Sequence, residues 1–389
     1  MFKIILLLDF AEEYSKNLLK GISKYAGEHG PWTFCRMPLF YRETIGMDGI
    51  LRWAKEWEAD GIIGQLYNGI DLEKIIASGI PVIAQDFKER FEEIPNITGA
   101  YRETGRIGAE YFLKKGYRYF AFYGFNDIVW SRERAEGFEE KLKSMGHSVY
   151  YFEHRKSRST DLWYYKSHSL SRWLKSLPKP IALMACDDNQ ALHITEVCRQ
   201  IKIRIPEEIA VLGVDDDEML CELSDPPLSS IALDIEKGGY ESAYLLEQMI
   251  RGRKGHYDIF VKPTQVITRQ STDIYATNDS LIATTLKYIH QNIEKSLHVD
   301  EIVKQVPLSR RSLEKRFLNT TGLPVYKYIF NLRMEKFTQQ LLDTDQTVFE
   351  IALDLGFNDG KNIARQFKQV KGCNPIEYRR RNRIGKQEA

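Results

Sequence analysis

The feature that most constrains the fold of this sequence is an alternation, over about its first 270 residues, of short apolar runs with longer amphipathic segments. Continuous apolar runs predict strands buried on both faces, and the amphipathic segments between them predict the helices that cover those faces. Strands and helices in this order are typical of a parallel sheet in an α/β domain. The predicted strands are Lys3–Asp9, Trp32–Arg36, Gly61–Leu66, Pro81–Ala84, Tyr119–Tyr123, Ser148–Phe152, Ile181–Ala185 and Ile209–Val214.

Eight strands are more than one small doubly wound sheet usually carries. We therefore predict two lobes within residues 1–273, each built on a doubly wound parallel sheet, with the chain crossing between them near 101–115 and 225–262. A polar linker is expected at 274–280, and an all-helical domain at 281–385. Because open parallel sheets bind ligands at the carboxyl ends of their strands, a cleft between the two lobes is the predicted ligand site.

The charge of the chain is unevenly distributed. The whole sequence holds 55 Lys and Arg against 54 Asp and Glu, but residues 280–389 alone hold 19 basic and 12 acidic residues. The helical C-terminal segment is therefore basic and the preceding body is acidic. A basic segment on an acidic body predicts that the C-terminal segment meets a polyanion.

Several function classes are disfavoured by what the sequence does not contain. The eight histidines show no metal-ligand spacing, and neither a phosphate-binding P-loop nor a G-x-S-x-G elbow is present, so we expect no metal, no cofactor and no enzyme activity. No apolar stretch approaches the roughly 18 residues of a membrane span. The five cysteines are dispersed, which favours a reduced, cytoplasmic protein: Cys35, Cys186, Cys198, Cys221 and Cys373.

The basic segment contains two copies of a helix-turn-helix pattern, the first within Val299–Phe317. Pro307 ends one short helix, and Ser309 can cap the next. Leu313 and Phe317 have the spacing that buries one face of this second helix. The basic residues left on its other face are predicted to contact DNA together with Ser309: Arg310, Arg311, Lys315 and Arg316.

The second copy lies within Thr347–Lys368. Gly356 can supply the turn between its two helices, and Ile363 and Phe367 mark the buried face of the second one. Five polar residues on or near that helix are the predicted DNA contacts of this copy: Asn358, Lys361, Asn362, Arg365 and Gln366. Two such units in tandem predict a reader of double-stranded DNA.

The segments Leu308–Phe317 and Gly356–Arg379 strongly resemble the AraC/XylS family of bacterial transcription regulators. The resemblance implies two helix-turn-helix units joined by a long helix, here Val325–Leu342, which meet adjacent segments of the major groove. Ile363 stands where the family usually has Phe, and Asn362 where it often has an aromatic residue. The base preference of the family therefore cannot be transferred to this chain.

The body resembles the superfamily of the lactose repressor and the periplasmic sugar-binding proteins, in the segments Ile209–Asp216 and Leu228–Ala243. A sensor of this kind followed by an AraC-type domain resembles the xylose-operon activators of that family. The resemblance implies a regulator of sugar catabolism genes, which we expect to be an activator. The expected effector is a neutral sugar, a pentose such as D-xylose. The regulator would bind two half-sites as a homodimer, with RNA polymerase as a further candidate partner and no membrane partner.

Eight residues near the predicted strand ends are the candidate sugar ligands: Asp9, Tyr14, Gln65, Asp86, Trp130, Arg134, Asp187 and Asp215. Planar polar groups can hydrogen-bond sugar hydroxyls, and aromatic rings can stack on sugar C–H faces. Asp187 and Asp215 could instead cap helices, and Arg134 could pair with an acid on its own helix. In the xylose-operon activators Asn is expected at Asp9 and Asp at Gln65, so the identity of the sugar stays open.

Two other functions remain as alternatives. The first is a carbohydrate-acting enzyme on a sugar-binding frame, for which Asp187 and Asp215 are the only acid–base pair on offer. The second is a regulator that senses a nucleoside or a phosphorylated ligand. It would need several cations at the strand ends, where the sequence offers chiefly Arg134.

Overall fold

The computed structural model divides the chain into two compact units, Met1–Thr272 and Asp273–Ala389. Within the described part of the chain, no helix is both long enough and apolar enough to span a membrane. The ranges that the structure describes are 1–37, 39–66, 69–154, 167–253, 257–274, 279–293, 297–357 and 360–382.

The first unit contains two six-stranded sheets, as the α/β prediction requires. The first sheet is parallel throughout and has the order β11-β5-β4-β3-β1-β2. Its strands are β1 (Phe2–Leu7), β2 (Trp32–Arg36), β3 (Gly61–Gln65), β4 (Val82–Gln85), β5 (Asn96–Gly99) and β11 (Ile259–Val261).

The second sheet has the order β12-β10-β9-β8-β6-β7, and only its edge strand β12 runs antiparallel to its neighbour. The strands β5, β10, β11 and β12 are absent from the strands predicted above, because they lack long apolar runs. The strands of this sheet are β6 (Phe120–Phe125), β7 (Val149–His154), β8 (Ile181–Ala185), β9 (Ile209–Val214), β10 (Ser229–Leu233) and β12 (Pro263–Ile267).

Strand β1 shows why the first sheet is covered on both faces. Ile4 and Leu6 pack into one apolar cluster, and the alternate residues Ile5 and Leu7 pack into another. Successive side chains of a strand point to opposite faces, so an uninterrupted apolar strand needs cover on both sides. That cover comes from α1 (Glu13–His29) and α9 (Ile235–Ile250) on one face, and from α2 (Leu39–Glu56) and α3 (Gly69–Ser78) on the other.

The second lobe carries α4 (Tyr101–Lys114), α5 (Val129–Ser144), α6 (Ser167–Ser176), α7 (Asp188–Gln200) and α8 (Glu218–Leu223). Helices α4 and α5 approach each other closely at two glycines. A Cβ atom on Gly105 would lie 2.0 Å from the carbonyl oxygen of Arg134, and one on Gly137 would lie 2.0 Å from that of Arg102. This close contact holds α5, which carries Arg134, in a fixed position beside α4.

The chain passes between the two lobes three times: from β5 to β6, from β10 to α9, and from β11 to β12. Backbone hydrogen bonds join the passages to one another. The amide of Ala100 donates to the carbonyl of Val261 at 2.9 Å, and the amide of Asp234 donates to that of Lys262 at 2.9 Å. The lobes are therefore connected by three adjacent segments, the usual construction of a hinge between two rigid bodies.

The second unit is helical where the structure describes it, and it has two separate apolar cores. Helix α13 contributes to both: Tyr328 packs into the first core and Phe337 into the second. This helix is the long connection predicted at Val325–Leu342. The helices are α10 (Ser280–Gln291), α11 (Val299–Val303), α12 (Arg310–Thr321), α13 (Val325–Asp343), α14 (Val348–Asp354), α15 (Gly360–Lys371) and α16 (Pro375–Asn382).

Candidate functional site

A cleft opens between the two lobes of the first unit, beside the carboxyl ends of strands from both sheets. Its empty space is about 630 Å³, including the open mouth. Six of the eight predicted ligand residues line it, namely Tyr14, Gln65, Trp130, Arg134, Asp187 and Asp215. The other lining residues are Glu12, Glu13, Gln85, Phe87, Tyr101, Asp188, Asn189, Asp217 and Leu220.

Arg134 and Asp215 form an ion pair at the wall of this cleft. One terminal nitrogen of the Arg134 guanidinium lies 3.1 Å from Oδ1 of Asp215, and the other donates to the carbonyl oxygen of Cys186. The guanidinium carbon lies 5.3 Å from the ring centroid of Trp130 and 5.4 Å from that of Tyr101. Arg134 is only 2 % exposed, so both its charge and its orientation are held by the protein.

Asp215 lies in a loop with an unusual backbone. Its φ is 103°, and that of Asp216 is 54°. Non-glycine residues at positive φ cost about 1–3 kcal/mol each, and such strain concentrates at ligand sites. The helix cap that the sequence suggested for Asp215 belongs instead to Asp217, whose side chain accepts the amide of Leu220. Asp215 is therefore available to pair with Arg134 across the wall of the cleft.

Asp188 supports this loop from beneath. Its Oδ1 accepts the hydroxyl of Ser230 at 2.7 Å, and its Oδ2 accepts the amide of Asp217 at 2.8 Å. Burial raises the pKa of Asp188 well above the usual value of a carboxyl, and the nearby charge of Asp215 raises it further. Asp188 is not among the predicted ligand residues, because its neighbour Asp187 follows the same strand and is equally an acid.

Three buried polar atoms at the cleft have no hydrogen-bond partner among the described residues: the hydroxyl of Tyr14, Oε1 of Gln85 and Nε of Arg134. Burial raises the pKa of Tyr14, and the charges of Asp86 and Asp215 add to the shift, so this hydroxyl stays protonated. Buried polar groups are rarely left unsatisfied in native proteins. These three atoms are therefore suited to hydrogen bonds with a polar ligand.

Two of the predicted ligand residues do not line the cleft. Asp86 is 1 % exposed, and its carboxylate accepts the hydroxyls of Thr98 at 2.6 Å and Tyr101 at 2.8 Å. Burial raises its pKa to about 6, although these hydrogen bonds act in the opposite direction. Asp86 thus orients Tyr101, and its neighbour Gln85 takes the place in the cleft, because adjacent residues along an extended chain face opposite sides.

Asp9 is the second correction. Its Oδ1 accepts the amide of Ala11 at 3.1 Å, in the turn that leads into α1. Asp187 caps α7, where its side chain accepts the amide of Gln190, and it also lines the cleft, so it stays a candidate ligand residue. Period-two and helical patterns place residues at a strand end, but they do not say which polar neighbour there points inward.

The second unit presents the first predicted recognition helix, α12, as the sequence indicated. Leu313 and Phe317 are fully buried in the core, whereas Arg311 and Lys315 are exposed. Ser309 is the N-cap, and its side chain accepts the amide of Ser312. Arg310 is also exposed, but its guanidinium already bonds to Asp300 at 2.9 Å and Glu314 at 3.2 Å. Arg311 and Lys315 are therefore the better candidates for phosphate and base contacts.

Arg316 has a structural partner within the same unit. Its guanidinium donates to both carboxylate oxygens of Asp279, each at 2.6 Å, and the same carboxylate caps α10. Such a bidentate pair fixes the start of α10 against α12. We therefore propose that Arg316 stabilises this unit and does not contact DNA.

The second predicted recognition helix is α15, whose residues Ile363 and Phe367 are buried while Arg365 is exposed and Gln366 is half-buried. Asn358 lies outside the described residues, and so do the side chains of Lys361 and Asn362. The preceding helix α14 begins at a capping box formed by Thr347 and Glu350. The turn after it contains Gly356 at φ 70°, a conformation that favours glycine.

Arg379 has a role that sequence reasoning missed. Its guanidinium donates to the backbone carbonyl of Leu341 at 2.8 Å and to that of Gln346. These bonds satisfy carbonyl groups at and beyond the end of α13. Arg379 is the first of three consecutive arginines near the C-terminus. Its hydrogen bonds thus support the fold, although its charge alone suggests a contact with a polyanion.

The assignment of Arg316 can be tested by replacing it with alanine. We expect Arg316→Ala to lower the free energy of unfolding of the second unit by about 1 kcal/mol, because a partly exposed bidentate ion pair is lost. The salt dependence of DNA binding should be unchanged, since no phosphate contact is removed. Urea denaturation and fluorescence anisotropy at several salt concentrations measure the two effects. An unchanged stability with a shallower salt dependence would restore Arg316 to the DNA contacts.

Comparison with known families assigns both units. Residues 109–272 match the model of a periplasmic binding protein-like domain, and residues 302–381 match that of a helix-turn-helix domain. The two matches lie in the first and second units respectively. The combination of a two-lobed binding domain with a C-terminal helix-turn-helix domain agrees with the resemblance found in the sequence.

Relatives with the same arrangement match nearly the whole chain. The xylose operon regulatory protein of Haemophilus influenzae is 28% identical, over 97% of this chain and 98% of its own. That of Escherichia coli is 26% identical, over 97% and 96%. The structure of the xylose-binding transcription activator xylR matches with a TM-score of 0.62 and 25% identity, over 98% of each chain.

A further solved structure matches part of the chain and shows a similar fold. The complex of the transcriptional regulator CelR with cellobiose matches 69% of this chain with a TM-score of 0.57 and 21% identity. The cleft of the first unit, the basic helices of the second unit and the full-length relatives all indicate the same function. The chain is a sugar-responsive, DNA-binding transcription regulator, in which a periplasmic-binding-protein-like sensor precedes an AraC-type helix-turn-helix domain.

Proposed function

We propose that this regulator is a cytoplasmic activator of pentose catabolism genes and that its effector is D-xylose. The observation that carries the proposal is the cleft of the first unit, where three buried polar atoms of Tyr14, Gln85 and Arg134 have no partner among the described residues. A pentose offers several hydroxyls, each of which can both donate and accept a hydrogen bond. Trp130 and Phe87 add aromatic surface for its C–H faces.

The charge of the cleft favours a neutral ligand over a phosphorylated one. Its described lining includes six acidic residues, and Arg134 is the only Lys or Arg among these lining residues. The charge of Arg134 is already matched by Asp215 at 3.1 Å. A phosphate group in the cleft would lie near several acidic side chains, and the lining residues offer no unpaired Lys or Arg to neutralise its charge. The alternative of a phosphorylated effector is therefore disfavoured. The six acidic residues are Glu12, Glu13, Asp187, Asp188, Asp215 and Asp217.

The geometry also disfavours the enzyme alternative, and we propose that the chain has no catalytic activity. Its only acid–base pair was Asp187 with Asp215. Asp187 caps α7, and Asp215 is held in an ion pair with Arg134. Both carboxylates therefore already have structural partners, which disfavours a role for either in moving a proton of a substrate. The relatives that match over the full length are named as regulators.

We further propose that the protein acts as a homodimer, so that two second units bind two half-sites. Each unit carries two recognition helices, α12 and α15, and a dimer would present four. Half-sites of a dimeric reader are separated by whole turns of DNA, about 34–36 Å or multiples of it. For an activator, RNA polymerase is the natural further partner, and sugar binding would increase the occupancy of a site beside the promoter.

A thermal-shift screen tests the effector. We expect D-xylose to raise the melting temperature of the full chain more than L-arabinose, D-ribose, D-glucose or D-xylulose, since a ligand that binds only the folded state stabilises it by mass action. D-xylose 5-phosphate should give no shift. A larger shift with another sugar would correct the identity of the effector. A shift with the phosphate ester alone would overturn the proposal of a neutral ligand.

The Tyr14 hydroxyl provides a single-atom test of the cleft. We expect Tyr14→Phe to weaken D-xylose binding by about tenfold, because one hydrogen bond to the sugar, worth about 1–1.5 kcal/mol, is removed. The folded protein should lose no stability, since this hydroxyl has no partner among the described residues. Titration calorimetry measures the affinity. The matched control is Tyr240→Phe, which removes an exposed bond to Glu28 on another surface of the lobe. Equal affinities of wild type and Tyr14→Phe would place the sugar elsewhere.

A further inference from the structure

The first unit ends in a short 3₁₀ turn, Gln270–Thr272, that is fixed by buried side-chain hydrogen bonds. Ser271 and Thr272 are fully buried. The hydroxyl of Ser271 donates to the carbonyl of Val211 at 2.6 Å, and that of Thr272 donates to Ser229 Oγ at 2.7 Å. The turn is therefore attached directly to β9 and β10, the strands on either side of the Asp215 loop. We name residues Gln270–Thr272 the exit turn.

Arg269 precedes the exit turn and connects this turn to the Asp215 loop. Its guanidinium donates to Oδ1 of Asp216 at 2.9 Å and to the carbonyl of Leu228 at 3.0 Å. Its backbone is bonded in both directions to the Ser229 hydroxyl: its amide donates at 2.8 Å, and its carbonyl accepts at 2.9 Å. The side chain of Arg269 thus bonds to the loop that contains Asp215 and Asp216, and its backbone bonds to Ser229 near the end of the first unit.

The other end of this connection reaches the ligand site. Asp216 follows Asp215, which pairs with Arg134 in the cleft, and both acids have positive φ. A loop in this conformation is held by its contacts, because its backbone is intrinsically unfavourable. A ligand that engages Asp215 or Arg134 therefore changes the balance of contacts that sets the position of Asp216. Asp216 and Arg269 are both about one-fifth exposed, so their charges are partly shielded from water.

We propose that Arg269 is the positioning residue through which the occupied cleft acts on the exit turn, and hence on the chain that leads into the DNA-binding unit. The proposal rests on the proposed function and adds its route of regulation. Allosteric control requires a free energy of coupling between two ligands, here the sugar and DNA. The Asp216–Arg269 ion pair physically connects the Asp215 loop to the residue that precedes the exit turn. Removing it should uncouple the two ligands without removing either binding site.

The test compares the affinity for DNA with and without sugar in the full-length chain. The probe is a duplex selected by the wild-type protein from a random-sequence library, and the sugar is D-xylose at saturation. The ratio of the two dissociation constants is the coupling factor, which we expect to be about five- to 150-fold in the wild type. In Arg269→Gln it should fall to less than about twofold, while the sugar affinity stays within about threefold of the wild type.

Four further variants make the outcome specific. Asp216→Asn should lose the coupling in the same way, and combining it with Arg269→Gln should add nothing, because the two residues form one pair. Arg269→Lys should retain part of the coupling, since it keeps the charge but loses the planar fork. The control is Arg251→Gln, which removes an ion pair with Glu247 on α9. Its coupling factor should equal that of the wild type.

The results separate failure of this inference from failure of the proposed function. If Arg269→Gln and Asp216→Asn bind D-xylose normally and keep the full coupling factor, the role of Arg269 is overturned and the proposed function stands. If the wild type itself shows no sugar-dependent change in DNA affinity, the proposed function is overturned and the coupling role with it. Circular dichroism and melting curves check that each variant is folded. Should Arg269→Gln fail to fold, the comparison of Asp216→Asn with Arg269→Lys decides the question.

Discussion

Replacement of Asp215 by alanine is expected to abolish the response to sugar, with a loss of D-xylose affinity of at least about 100-fold. Two effects combine. The ligand loses a charged hydrogen-bond acceptor, worth about 1.5–3 kcal/mol. Arg134, which is 2 % exposed, also loses its ion-pair partner. Leaving a buried charge unpaired lowers the free energy of unfolding by about 3–5 kcal/mol. The second effect also disturbs the orientation of Arg134 toward the sugar.

A second variant distinguishes lost binding from lost folding. Asp215→Asn keeps the volume of the side chain and suits the φ of 103°, because asparagine tolerates positive φ better than most residues. We expect it to be folded and still to bind D-xylose at least about 30-fold more weakly than the wild type. Asp9→Asn is the matched control, since Asp9 bonds to its own turn and should leave the affinity unchanged. Calorimetry that finds Asp215→Asn within threefold of the wild type would remove Asp215 from the ligand site.

Joint replacement of Arg311 and Lys315 by alanine is expected to weaken binding to the selected DNA duplex by about 30-fold or more. Each side chain is exposed on α12, one turn apart, and a direct contact to a base or phosphate contributes about 1–3 kcal/mol. The stability of the second unit should not change, because neither side chain packs into its core. The affinity for D-xylose should also be unchanged, since the cleft belongs to the first unit.

The salt dependence identifies what the two residues contact. If Lys315 meets a phosphate, its removal should reduce the slope of log affinity against log salt by about 1. If Arg311 reads a base, its removal should weaken binding to the selected sequence more than binding to random DNA. Lys287→Ala, an exposed charge change on α10, is the control for net charge. Affinity equal to the wild type in the double variant would mean that α12 does not face DNA.

The site residues show how far sequence patterns reach. The sequence placed Tyr14, Gln65, Trp130 and Asp187 at the cleft because strand ends are recognisable and the ends of parallel strands lie together at one edge of each sheet. At the end of β4 the pattern could not choose between two polar neighbours, and Asp86 was selected in place of Gln85. The choice depends on which face of the strand meets the cleft, and both faces of this strand are buried.

The two predicted recognition helices also show what sequence patterns can and cannot predict. Leu313 and Phe317, with Ile363 and Phe367, were correctly predicted to be buried, because helical periodicity is a local property of the sequence. Arg316 was predicted to lie on the DNA-facing surface, yet it pairs with Asp279, which lies 37 residues earlier. Neither periodicity nor composition reports a partner at such a distance.

The sequence by itself determined the class of the molecule: two doubly wound sheets with a cleft at their strand ends, followed by two helix-turn-helix units with basic helices. These features follow from the periodicity of apolar residues and from the local distribution of charge. Only the tertiary structure decided that Arg134 pairs with Asp215, 81 residues away, and that Arg269 pairs with Asp216, 53 residues away. The order of strands and the packing of helices bring such partners together, and burial then sets the strength of their interaction.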